Sequence, residues 1–111
     1  MISIQPGSQD TPLNGATPVV VVAAPAAGKT RTVVGLRLAQ LDSLPVTAIL
    51  YRDALEIARI VGLEPGGEPW IPVTLDKRLV LAPGQELSMA LTGAHATVAP
   101  IAFAEYLEGT D

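Results

Sequence analysis

Apolar residues recur along this chain with a period of two, in runs of about four to eight residues broken by proline and glycine, which is the pattern of short β-strands. The firmest run is residues 18–24, Pro-Val-Val-Val-Val-Ala-Ala, whose four consecutive valines suit a strand buried on both faces. A Pro25-Ala-Ala-Gly28-Lys29 turn follows. Pro25 presets its φ, and Gly28 can take the positive φ that closes it. Residues 30–41 form the next strand. Val34, Leu36 and Leu38 share one face, while Arg37 and Gln40 require a twist or bulge near the strand's end. Gly35 marks a position where a partner backbone can come close.

Further strands are expected at 46–52, where Val46, Ala48 and Leu50 alternate with Thr47, Ile49 and Tyr51, and at 79–82 and 85–92, where Leu87, Met89 and Leu91 share a face. Residues 70–75 contain Pro72 and read as an edge strand or an extended run. Residues 97–107 close the domain, with Pro100 as a candidate bulge position, and 108–111 form a C-terminal tail. Residues 53–62 read two ways. Asp53 with Glu56 resembles a helix N-cap and its box partner, with Ala54, Ile57, Ala58 and Val61 on one face and Gly62 as C-cap. Alternatively, 53–55 is a hairpin turn and 56–63 a strand paired with 46–52. The β-branched cluster Ile57, Ile60 and Val61 and the strand-like neighbours favour the strand. The fold class that follows is all-β: a single sandwich of about eight short antiparallel strands over 18–107, jelly-roll-like.

Residues 1–17 carry Pro6-Gly7, Asp10-Thr-Pro12 and Asn14-Gly15, which are turn formers with little apolar periodicity. They read either as a frayed terminus or as an extended arm anchored by Ile2, Ile4 and Leu13, able to add a strand to a neighbour's sheet edge. On this reading, removal of the arm leaves the fold intact and weakens assembly.

Composition narrows the function classes. Of 111 residues, 49% are hydrophobic but only 4% aromatic, so aliphatic layers carry the packing, and part of the apolar surface is expected to be covered by another subunit. The net charge of −4 and the seven dispersed Lys and Arg residues disfavour nucleic-acid binding, which needs a basic face. The chain has no cysteine, hence no disulfide or thiolate chemistry. The apolar run at 19–27 is shorter than the roughly 20 residues that span a bilayer, and its acidic flank argues against an export signal.

No motif carries catalysis. Ala27-Gly-Lys-Thr30 evokes a phosphate loop, but Ala23 stands where the first glycine belongs, and strand composition follows where a helix is needed. His95 is the sole histidine and the carboxylates are scattered, so no metal site or cofactor is expected. Ser43 and Ser88 lack a nucleophile-elbow context. Trp70 remains, either as an exposed anchor or sugar platform, the latter requiring Tyr51 or Tyr106 on the same face, or as a cap on the open end of the sandwich.

The succession Val-Val-Val-Ala-Ala-Pro-Ala-Ala-Gly-Lys-Thr, then Val46-Thr-Ala-Ile-Leu-Tyr-Arg52, then Leu79-Val-Leu-Ala-Pro-Gly-Gln-Glu-Leu87 resembles the small β-sandwich virion proteins of tailed bacteriophages, over about residues 18–107. The resemblance implies a non-enzymatic structural protein of the head-decoration or accessory-capsid type, with a neck or tail component as the alternative. It implies a homo-oligomer located in the virion, with the major capsid protein and copies of itself as partners. No nucleic acid, membrane, small-molecule substrate or catalytic residue is implied. A carbohydrate-binding module is the competing class. The candidate interaction residues are Ile2, Ile4, Leu13 and Trp70.

Overall fold

The computed structural model describes residues 3–14, 16–39, 46–63, 70–74, 78–92 and 100–110. Among them are nine strands and no helix: β1 (Ser3–Pro12), β2 (Val19–Val22), β3 (Lys29–Ala39), β4 (Val46–Arg52), β5 (Leu55–Leu63), β6 (Trp70–Pro72), β7 (Leu79–Leu81), β8 (Leu87–Thr92) and β9 (Ile101–Thr110). One antiparallel sheet runs β1-β9-β3-β6 with β7 also on β3, and the other runs β2-β8-β4-β5. β6 pairs with the Arg37–Ala39 end of β3, and β7 with its Arg31–Val33 end. They are two pieces of one interrupted strand, bridged by the Val73 N–H donating to the Leu36 carbonyl at 2.8 Å. Counting them as one strand gives two four-stranded sheets whose order is that of a jelly roll.

The core lies between the sheets and is aliphatic, with no polar side chain fully buried among the described residues. Leu36 and Leu38 of β3, Val46, Ala48 and Leu50 of β4, Leu79 and Leu81 of β7, and Leu87, Met89 and Leu91 of β8 meet there. Ala102 and Ala104 of β9 line it from the middle of the first sheet, their small side chains leaving room for the leucines opposite. The valine run owes two consecutive buried side chains, Val21 and Val22, to a register shift between Val20 and Val22.

Several elements depart from the sequence reading, each for a definable reason. The turn after the valines does close on Gly28 (φ 80°), with the Lys29 N–H on the Ala26 carbonyl at 3.1 Å, but it carries the chain from one sheet to the other. β3 has its bulge in the middle, at Val33–Gly35, not near its end. Val33 is therefore buried, and Val34 turns outward at 58% exposure, away from Leu36 and Leu38. A Cβ on Gly35 would meet Glu105 at an ordinary 3.5 Å, so the glycine answers to the bulge and not to a close approach.

Residues 53–62 hold no helix. Asp53 and Ala54, with φ of 54° and 71°, form a two-residue turn between the paired Arg52 and Leu55. A turn with both residues at positive φ matches the twist of the strands it joins. Glu56 binds Arg59 at 2.7 Å and caps nothing. Alanine is strained in the left-handed region, where glycine is not. Ala54→Gly is therefore expected to raise stability by about 0.5–1 kcal/mol, after allowing for the freer unfolded chain. Urea unfolding with an unchanged m-value checks this.

The largest departure is at the ends. The expected arm is, over 3–12, the edge strand of the chain's own first sheet, paired with β9 from Ser3↔Thr110 to Pro12↔Ile101. The residues expected as a C-terminal tail belong, through Thr110, to β9. No register shift accompanies Pro100, which lies buried just before β9 and accepts a hydrogen bond from the Leu13 N–H at 2.8 Å.

Candidate functional site: the outer face of the first sheet

Strand alternation decides what the first sheet shows to solvent. In β1 the odd positions from Gly7 onward turn inward, and in β9 the even positions do. The remaining side chains form cross-strand rows on the outer face. One row reads Pro6, Leu107, Thr32 and Val80 across four neighbouring strands. Leu107 and Val80 are 39% and 41% exposed, and Ile4 (65%) and Val34 (58%) flank the row. The next row contains Ser8 and Glu105, and the one beyond it Asp10, Phe103 and Arg37. Asp10, Glu105 and Arg37 are the charged residues of this face among the described strands, and Arg37 reaches Glu105 at 3.2 Å. An antiparallel sheet with one solvated face ordinarily shows polar residues there. Here both faces are largely apolar, and a contiguous exposed aliphatic patch is the mark of a docking surface.

The sheet edges are closed by comparison. Pro6 and Pro12 stand six residues apart on β1, so both fall in one hydrogen-bonding phase of the ladder. A proline fits an edge strand where its missing N–H would have pointed to solvent, so donors are lacking along the open side. β2 has only four residues, and Gln9 reaches across from β1 to it. The Gln9 amide donates to the Val20 carbonyl at 3.3 Å and its oxygen accepts from the Ala23 N–H at 3.1 Å. On the opposite side, β6 and β7 have three residues each, with Pro72 in β6. β5 is longer, but register shifts opposite Val46/Ala48 and Leu50/Tyr51 break its ladder twice. Short, proline-bearing or bulged edges resist strand addition.

A polar anchor holds the two sheets together at the β1–β2 side. Arg31 on β3 donates to the Ala23 carbonyl at 2.8 Å and meets Glu108 at 3.4 Å. Its guanidinium carbon lies 4.5 Å from the centre of the Tyr106 ring. Lys29 reaches the other Glu108 oxygen at 3.6 Å. The Tyr106 ring lies over Gly7, where an added Cβ would come within 2.5 Å of it. Gly7 thus leaves the room that the ring occupies, and Arg31 lies against the ring. The Arg31 Nε is buried with no hydrogen-bond partner. On β5, the bond to Glu56 raises the pKa of Arg59 above its usual value.

Of the residues singled out in the sequence, Ile4 lies on the outer face. Ile2 is outside the described residues. Leu13 is a core residue, 5% exposed, and so is not available to a partner. Trp70 begins β6 opposite Ala39, and its side chain is outside the described part. Neither tyrosine's strand position adjoins that of Trp70. Tyr51 belongs to the second sheet, and Tyr106, opposite Val33, lies about 20 Å along β3 from the Ala39 position. His95 is outside the described residues, and no cluster of three metal-ligating side chains occurs among those described. Of the seven basic residues, Lys29, Arg31, Arg37 and Arg59 are engaged in ion pairs. Sequence reasoning missed Leu107, Val80, Val34, Glu105 and Arg37, which meet only through the strand registers.

Fold and site together define a small jelly-roll sandwich whose exposed feature is an aliphatic sheet face. Among solved structures, the chain is similar to one described as "Bacillus endospore appendages form a novel family of disulfide-linked pili", with a TM-score of 0.52 and 12% identity over 98% of this chain and 87% of that one. It also matches the nucleoplasmin-like N-terminal domain of Drosophila FKBP39, at a TM-score of 0.46 and 14% identity over 97% and 90% of the two chains. The first supports a small β-sandwich and nothing finer. No protein-family model and no curated protein matches the chain.

Proposed function

We propose that this chain is a non-enzymatic structural protein of a tailed-phage particle, a decoration protein bound to the outside of the head shell. The observation that carries the reading is the aliphatic outer face of the first sheet, presented by a rigid sandwich whose edges resist strand addition. Such a module works by lying against other protein, and repetition over a symmetric shell multiplies modest contacts through effective concentration. The strand succession quoted above for virion proteins supports the same reading, and the jelly roll is a fold that capsid proteins use. The pilus subunit named above builds a disulfide-linked fibre, and a chain without cysteine cannot be joined in that way.

The test is the copy number in purified particles, measured by quantitative mass spectrometry against the major shell protein. Many copies in fixed proportion to the shell are expected. A few copies, matching a single ring, assign the protein to the neck or tail, and its absence overturns the reading.

A further inference from the structure

We propose that the outer face of the first sheet is the seat of a second copy of this chain, packed face to face about a two-fold axis that runs parallel to the strands between β9 and β3. The pattern of the face is what selects a copy of itself. Such an axis sets each β9 over the other copy's β3, and each β1 over its β7. Leu107 then covers the second copy's Thr32, and Pro6 covers its Val80, so the apolar row closes on itself. The charges fit the same axis. Glu105 on β9 and Arg37 on β3 stand one row apart, as their own 3.2 Å ion pair requires. The two-fold therefore brings Arg37 of each copy beside Glu105 of the other, and the four charges alternate in sign around the axis. Asp10, in register with Phe103 beside Arg37's row, adds a second acid next to the incoming Arg37. An isologous contact needs this kind of self-complementarity, with residue i meeting j and j meeting i.

The area is adequate for a weak dimer. Three strands about ten residues long and a fourth made of two three-residue pieces, about 4.8 Å apart, present roughly 570 Å² per copy, so roughly 1,150 Å² is covered in all, just above the roughly 1,000 Å² that a specific contact needs. Two sheets stacked in this way sit about 10 Å apart with their mean strand directions well within about 30° of each other, as aligned sheet packing requires. The dimer deepens the particle reading by naming the protein that covers this face, a second copy, so that the pair meets the shell through its remaining surfaces; it is measured on the isolated protein, whereas copy number is measured on particles, so either can fail alone.

The test is sedimentation velocity of the full chain from about 1 to 200 µM, which brackets the dissociation constant of a weak dimer. A reversible monomer–dimer equilibrium is expected. Arg37→Glu or Glu105→Arg alone weakens it about 10- to 100-fold by setting like charges together, and the double exchange restores part of it, Asp10 then opposing the acid at position 37. Leu107→Lys weakens it comparably by placing a charge in the apolar row. Val61→Lys, at an exposed valine on β5 of the other sheet, leaves it unchanged. Each variant is checked by far-ultraviolet circular dichroism and thermal unfolding, since surface changes away from the core are expected to leave the fold intact. A wild-type chain monomeric at every concentration overturns the proposal. So does an oligomer indifferent to Leu107→Lys, or a double exchange that fails to rescue.

Discussion

Deleting residues 1–12 is expected to abolish cooperative unfolding of this protein. β1 supplies ten register pairs to β9, from Ser3↔Thr110 to Pro12↔Ile101. It also supplies the Gln9 bridge to β2 and the glycine seat of Tyr106. Without it the whole length of β9 becomes a free edge, and the Tyr106 ring loses the surface it lies on. Net stability of a domain is only about 5–15 kcal/mol, so losing a full edge strand with its cross-sheet bonds removes most of it. The measurement is thermal unfolding by circular dichroism and calorimetry, where the truncated chain should show a broad, sloping transition. A sharp transition within about 5 °C of the full chain would instead mean that β1 is an appendage, since such a shift corresponds to only about 1 kcal/mol.

Arg31→Ala is expected to cost about 2–3 kcal/mol, a large effect for a residue outside the core, because it removes at once a charged hydrogen bond, an ion pair and the stacking of a cation on an aromatic ring. The side chain is only 17% exposed, so solvent screens these interactions weakly. The Ala23 carbonyl is deprived of its donor, the Tyr106 ring of its cover, and Glu108 keeps only Lys29. Arg31→Met separates packing from charge. It keeps an apolar stem over the ring and removes the buried Nε that has no partner, so it should recover about 1 kcal/mol of that deficit. Chemical denaturation of the three proteins gives the order wild type, methionine, alanine. Methionine equal to alanine would mean that the charge alone matters.

What the sequence revealed follows the physics of each element. β4 and β8 were legible because each has one face in the core, so Val46, Ala48 and Leu50, and Leu87, Met89 and Leu91, alternate plainly. The valine run was legible through β-branching. β1 was not, because an edge strand that resists pairing uses the residues of a turn: Pro6, Gly7 and Pro12 serve its exposed side and its tyrosine neighbour. Val34 escaped because one bulged residue reverses the side chains that follow it. The anchor and the face depend on registers between strands as distant as Arg31 and Glu108, separated by 77 positions, which no local period records.

The prolines of β1 also decide how an assembly of this chain can grow. A fibre built by adding strand to strand must offer a fresh template at its tip after each addition. Pro6 and Pro12 withhold donors at one lateral edge of the sandwich, and the twice-shifted ladder of β5 disrupts the template at the other. Association through a sheet face instead consumes the surface that made it possible, and leaves nothing of the same kind exposed. Growth by strand addition is thereby blocked at the described edges, and association through the face closes on a single partner.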